Sequence, residues 1–359
     1  MPIGETFWNP YRMIPVREEV EKRSPLTDEK FQGRNGTITC TLKNLTPLFI
    51  AESNEGNPKV FLKKNMKHII PGSSLKGMLR SLAEVVGGGC FVTDNKGSNC
   101  HERFKSCDRV TSLCIVCRMF GMMEQQSNAK VHKGNISIGD AVIQTEDIER
   151  QNYQVLLSAP KTRHGAFYIT PQNRRFDGKS RKFYFHQPQV NDRFPIVPIN
   201  LIHHAWEVDA LTAGHDFQFD VSFSNLREEE LNLLIYVLTL EQEVKVTIGE
   251  SDPIELRGPL RHKIGNAKPM GMGSCHIEIV SLTFFADPVT RFSALAPNDN
   301  AHQETILNGD RLTAEIDSRI NGFVNDHCAT MEQLRKVMVW DTRTYGTATD
   351  SPGPIAGHL

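Results

Sequence analysis

The chain has 359 residues, with 41 Lys and Arg against 42 Asp and Glu, and 39% of its residues are hydrophobic. That length supports a large buried core, and the near balance of charge excludes a protein that coats nucleic acid through a bulk basic field, so any contact with a polyanion must be local. The opening "MPIGETFWNP" lacks a basic segment followed by an apolar one, and the longest apolar run, "LNLLIYVLTL", is too short to span a bilayer. A soluble, cytoplasmic protein with no membrane partner is expected.

Residues 1–36 read as a polar, Pro-containing arm, and "TITCTLKNLTPLFIA" (37–51) alternates as a strand. In "IIPGSSLKGMLRSLAEVV" (69–86) a Pro-Gly stop precedes two serines, Ser73 and Ser74, either of which suits a helix cap. Leu75, Met78, Leu79, Leu82 and Val86 then form an apolar stripe. Lys76 and Arg80 lie four residues apart off that stripe, beside N–H groups at the positive end of the helix dipole, which suits phosphate. The same pattern also describes an ordinary capped core helix. A nucleotide P-loop is excluded, because "GSSLKG" lacks the four-residue spacer before Gly-Lys-Ser/Thr.

Five of the eight cysteines, Cys90, Cys100, Cys107, Cys114 and Cys117, crowd together, and metal explains them better than disulfides. Cys114-x-x-Cys117 has the spacing of two thiolates sharing one tetrahedral ion. The expected centre is a structural zinc on Cys100, Cys107, Cys114 and Cys117, with Cys90 or His101 as alternatives to Cys100. Four protein ligands close such a site, so no chemistry is assigned to the metal.

"GNISIGDAVI" reads as a second strand. Residues 161–182 then carry seven Lys or Arg against one acid, Asp177. Among them Lys161, Arg163, Arg174, Arg175, Arg181 and Lys182 interleave or adjoin Phe167, Tyr168, Phe176, Phe183, Tyr184 and Phe185. Phosphate contacts beside stacking surfaces suit single-stranded RNA. A solvated hairpin with an aromatic face is the alternative, and the length of the insert favours a functional role. Further on come an alternating strand, "HDFQFDVSFSNL", and a helix, "REEELNLLIYVLTLEQ", with Leu231, Leu234, Ile235 and Leu238 on one face. In "RGPLRHKIGNAKPMGMGS", Arg257, Arg261, His262, Lys263 and Lys268 surround Gly265, Gly271 and Gly273, glycines that permit close approach to a sugar-phosphate chain. "GSCHIEIVSLTFF" closes with a strand, and a helical stretch follows around "CATMEQLRKVMVW". Two strand–helix–strand units predict an α+β fold. It has a modified ferredoxin-like or RRM-like core over 37–285, a zinc insertion at 90–118, a long β-hairpin insertion at 150–205 and a C-terminal helical tail at 286–359.

Taken in order, "NPYRMIPV", "LTPLFIAE", "IPGSSLKGMLRSL", "CIVCRMFG", "GNISIGDAV", "RKFYFHQ", "FSNLREEELNLLIYVL" and "HKIGNAKPMGMGS" resemble the RAMP superfamily, specifically the zinc-containing backbone subunits of type III CRISPR effector complexes. The resemblance spans about residues 9 to 280. It implies a chain that lines up with other RAMP-type subunits in a filament along a CRISPR guide RNA, aligning it with complementary target RNA in antiviral defence. By resemblance, Ser73, Ser74, Lys76 and Arg80 seat the guide backbone together with Lys268, Gly271 and Gly273, and the insert near 150–200 acts as the "thumb". Active members cleave target RNA with an Asp after the first strand and a divalent cation. Here "LFIAESNEGN" has Ser53, Asn54 and Glu55 at that place and no Asp. The expectation is a structural or weakly active subunit. The alternative is an Mg²⁺-dependent endoribonuclease acting through Glu55, or a guide-processing one using His164 or His262.

Overall fold

The computed structural model describes residues 10–17, 21–27, 30–52, 56, 58–91, 104–124, 128–157, 179–187, 202, 204–248, 253–286 and 304–343. Its main sheet has nine strands. They are β1 (Arg34–Asn44), β2 (Lys63–Lys64), β3 (Lys67–Ile70), β4 (Ile136–Ile138), β5 (Ala141–Ile143), β6 (Asp216–Leu226), β7 (His262–Lys263), β8 (Ser274–Phe284) and β9 (Thr305–Leu307). The order runs β7-β8-β1-β6-β5-β3-β2, with β4 also on β6 and β9 also on β8, and every pairing is antiparallel. The alternation read in the sequence has its counterpart in burial: Ile38, Cys40 and Leu42 of β1 and Phe217, Phe219, Val221 and Phe223 of β6 point into the core.

Helix α1 (Gly72–Val86) buries Leu75, Leu79, Leu82 and Val86, four of the five stripe residues. Its cap differs from the serine cap expected from the sequence. The helix starts after Pro71, so Ser73 and Ser74 already lie in its first turn, and the Gly72 N–H is met from outside by the Asp140 carboxylate at 2.9 Å. Asp140 sits at the break between β4 and β5. The Gly72 N–H and then Lys64 hold its carboxyl below the usual range.

Helix α2 (Ile115–Phe120) starts after Cys114 and carries Cys117, and α3 (Glu228–Thr239) packs against α1 and β8. Leu231, Leu234, Ile235 and Leu238 of α3 are fully buried. The C-terminal part forms α4 (Gly309–Val324), lying on α3, and α5 (Ala329–Met338). Helix α5 packs on the strand Tyr11–Pro15. That strand falls within the stretch read as an arm, yet it is paired with Ser180–Tyr184, and Ile14 and Val16 join the core. Arg150–Val155 pairs antiparallel with Trp206–Leu211 in a separate two-stranded ribbon.

Candidate functional site

Three segments far apart in sequence border one groove of about 510 Å³. Helix α1 contributes Ser74, Gly77, Met78 and Ser81. The strand Ser180–Tyr184 contributes Lys182, Phe183 and Tyr184, and the Gly-rich loop contributes Arg261, Lys263, Gly265, Asn266 and Lys268. Spacings of three and four put small residues of α1 on one face, which opens this side of the helix to a ligand. No carboxylate stands among the described residues that line the groove.

The loop is held by its own main chain. Gly273 has φ +80°, and a Cβ there would lie 1.8 Å from the Ile264 carbonyl oxygen, so the hairpin from Ile264 to Gly273 closes only on glycine. The Gly273 N–H donates to Pro47 and that of Asn266 to Phe49, which ties the loop to the segment after β1. Lys263 Nζ donates to Gly271 O and to Ser274 Oγ, both at 3.2 Å. Burial, and then the charge of Lys268, lowers the Lys263 pKa to about 7. Burial lowers Lys268 as well and brings Arg261 down to about 10. Clustered, half-buried cations of this kind are relieved by an anion. On the opposite wall the Lys182 ammonium lies 3.7 Å from the centre of the Tyr11 ring and 5.0 Å from that of Tyr184.

The structure thus brings Ser74, Lys182, His262, Lys263 and Lys268 together, with Gly271 and Gly273 shaping the loop. The His262 ring is buried, with Nε2 2.7 Å from Val237 O, and burial holds its pKa near about 4. Exposed Ser73 lies outside the groove lining. Lys76 and Arg80 are on another side of α1: Lys76 Nζ reaches Ile136 O at 3.4 Å, and Arg80 donates to Glu84, Gly121 O and Cys117 Sγ. Arg181 is directed to Glu84 and the Phe91 ring. Glu55, Lys161, Arg163, His164, Arg174, Arg175, Cys100 and His101 lie outside the described residues.

The sulfurs of Cys90, Cys107, Cys114 and Cys117 all lie within 4.8 Å of one another, and all four residues are buried. Three of the four ligands expected from the sequence are present, and Cys90, one of the named alternatives, takes the fourth corner. It arrives through "VVGGGC": a Cβ on Gly89 would meet Val116 at 2.7 Å and the Glu84 Cα at 3.0 Å, so only glycine lets this turn lie against α1. Cys90 and Cys117 sulfurs are 3.4 Å apart. A tetrahedral zinc with bonds of about 2.3 Å separates its ligands by roughly 3.8 Å, so the four residues fit such an ion. The Cys114 N–H points at Cys107 Sγ and the Cys117 N–H at Cys114 Sγ, at 3.3 and 3.5 Å. Hydrogen bonds from Cys107 and its neighbours hold Cys114 well below the usual thiol range, while Cys117 is driven up. A bound divalent cation removes that conflict by letting all four ionise.

A family model described as the RAMP superfamily matches residues 41–275. The chain belongs to the RAMP superfamily. No curated protein matches it. Among solved structures, this RAMP protein is similar to a chain described as "Crystal structure of Csm3-Csm4 subcomplex in the type III-A CRISPR-Cas interference complex". The identity is 16% and the TM-score 0.33, over 79% of this chain and 97% of that one. The matched region of the RAMP protein contains α1, the cysteine centre and the Gly-rich loop. No helix among the described residues is long and apolar enough to cross a membrane.

Sequence reading did not single out Gly77, Ser81 or His186. The His186 ring, itself part of the groove lining, has Nδ1 2.8 Å from Ser274 Oγ and Nε2 2.9 Å from Arg261 O, bracing the loop. Small residues at helical spacing opposite an apolar stripe were the available signal for the first two.

Proposed function

We propose that this RAMP protein is a guide-RNA-binding backbone subunit of a type III CRISPR ribonucleoprotein, aligning guide with complementary target RNA beside other RAMP-type subunits. The observation that carries the reading is the groove in which Lys182, Arg261, Lys263 and Lys268 converge, with no carboxylate among the described residues that line it. A polyanion satisfies such a site, and its mix of backbone, Ser and Lys groups grips phosphates without reading bases. Family membership and the sequence resemblance to type III backbone subunits supply the identity of the polyanion.

In this reading β8-β1-β6-β5, with α1 and α3 in the connections, is a modified ferredoxin-like core. Residues 37–285 form the RAMP domain, 90–118 its structural-zinc insertion and 150–205 its thumb-like insertion. Residues 286–359 form a C-terminal helical tail, and residues 1–36 lead into the core strands, contributing Tyr11–Pro15 to the ribbon with Ser180–Tyr184. The ribbon Arg150–Val155/Trp206–Leu211 is the thumb's base.

The test is binding of unrelated single-stranded RNAs by wild type and by the Lys263→Ala/Lys268→Ala variant across a salt series. Removing two phosphate contacts is expected to weaken all RNAs alike and to lower the slope of log affinity against log salt by about 1.4, taking roughly 0.7 per contact on single strands. Equal binding by the variant would overturn the reading.

A further inference from the structure

We propose that Glu84 is a positioning residue that couples the four-cysteine centre to the strand bordering the groove, so that metal occupancy sets the order of that strand. For its effect on RNA, the proposal rests on the reading of the groove given above.

The Glu84 carboxylate is 5% exposed, and both of its oxygens are engaged. Oε1 accepts from Arg80 Nε at 3.2 Å and Oε2 pairs with Arg181 Nη2 at 2.6 Å. Arg80 stands one turn before Glu84 on α1 and fans out on its other side. Its Nη1 donates to Gly121 O, at the end of α2, at 3.0 Å, and its Nη2 lies 3.6 Å from Cys117 Sγ. An ion shared by the four cysteines fixes where the Cys117 sulfur and the adjoining Gly121 carbonyl stand, and Arg80, in contact with both, is fixed with them. Arg80 therefore passes the placement of the centre on to Glu84.

A second path runs the same way. The Arg181 guanidinium covers the Phe91 ring at 4.1 Å, Phe91 stacks on Phe104 at 5.4 Å, and Phe91 directly follows Cys90. Arg181 is thus clamped between a ligand's neighbour and a carboxylate that a second ligand orients. Arg181 is turned to Phe91 and Glu84, while the three residues after it, Lys182, Phe183 and Tyr184, border the groove. The strand's partner in a two-stranded sheet is Tyr11–Pro15. A guanidinium released from Glu84 leaves a buried carboxylate short of a partner, which costs enough to move the strand rather than leave the gap.

The experiment is hydrogen exchange of the full chain, loaded with zinc and after removal of the metal by a chelator. Stripping wild type is expected to speed exchange at residues 181–184 by about tenfold or more, while β1 and β6 stay protected. In Glu84→Gln these amides are expected to exchange fast even when loaded, and stripping adds little. The variant loaded with Co²⁺ keeps the absorption bands of a tetrathiolate site, which shows that the centre itself is intact. Arg181→Met, placed at the far end of the link from the thiolates, is expected to repeat the result should Glu84→Gln fold poorly. The proposal is overturned if 181–184 ignore the metal in wild type, if exchange rises equally throughout the chain, if both variants respond like wild type, or if the chain takes up no metal. RNA affinity is measured on the same samples. A metal-dependent strand with unchanged RNA affinity leaves the link standing and removes the groove reading. RNA binding that needs Lys263 and Lys268 beside an indifferent strand does the reverse.

Discussion

Lys263 Nζ lies 3.2 Å from Ser274 Oγ, at a point where burial and the neighbouring Lys268 bring its pKa down from 10.5 to about 7. The folded value lies below the unfolded one, so between about pH 7 and 10.5 the unfolded chain holds more protons, and the Lys263 contribution to stability rises with pH across that window. A phosphate in the groove favours the charged amine, so RNA binding takes up a proton and affinity falls as pH rises above about 7. Lys263→Met is expected to flatten both dependences relative to wild type, read by chemical denaturation and by RNA titration. The difference between the two proteins is the measurement. Identical pH profiles would contradict it.

Metal content tests the cysteine centre. Cys114→Ser/Cys117→Ser is expected to fall from about one zinc per chain to nearly none and to lose thermal stability with it. Elemental analysis and a thermal melt on the same preparation read the two effects. A metal-free variant that melts like wild type would make the ion incidental to the fold.

Arg118 and Glu230 form an ion pair between α2 and the first turn of α3, 4% and 1% exposed. Glu230 also accepts from the Arg227 N–H at 3.0 Å, which caps the start of α3 from one side. Glu230→Ala strands the guanidinium and opens the cap together. A loss of about 3 to 5 kcal/mol in urea unfolding is expected.

Glu55 stands where active relatives are expected to carry Asp. Glu55→Ala is expected to leave guide retention and target cutting by an assembled complex unchanged. An activity gained in Glu55→Asp, with RNA binding constant, would mark this loop as a cleavage site limited by the extra methylene.

Long periodic segments were legible in the sequence because burial acts on them locally: the stripe of α1, the face of α3 and the alternation of β1, β6 and β8 all correspond to core positions. What the sequence hid was long-range. Nothing near Tyr11 announces Tyr184 as its partner. Metal-ligand spacing alone left Cys90, Cys100 and His101 open, and the choice among them depends on how the Gly87–Gly89 turn folds over Glu84. On α1, the conspicuous pair Lys76 and Arg80 drew attention from the side of the helix that borders the groove. The partners of Arg80, Gly121 and Cys117, lie a further 40 residues or so along the chain, beyond any helical periodicity.

The central claim is that guide RNA runs through the groove between α1, the Ser180–Tyr184 strand and the Gly-rich loop. The most direct measurement is to purify the chain with the products of neighbouring genes, cross-link the RNA that comes with it, and map the attachment sites by mass spectrometry. The account predicts repeat-derived RNA attached at groove residues such as Tyr184, Lys263 and Lys268, whatever the spacer sequence. Repeat-derived RNA attached only outside this groove, or purification without RNA, would contradict it.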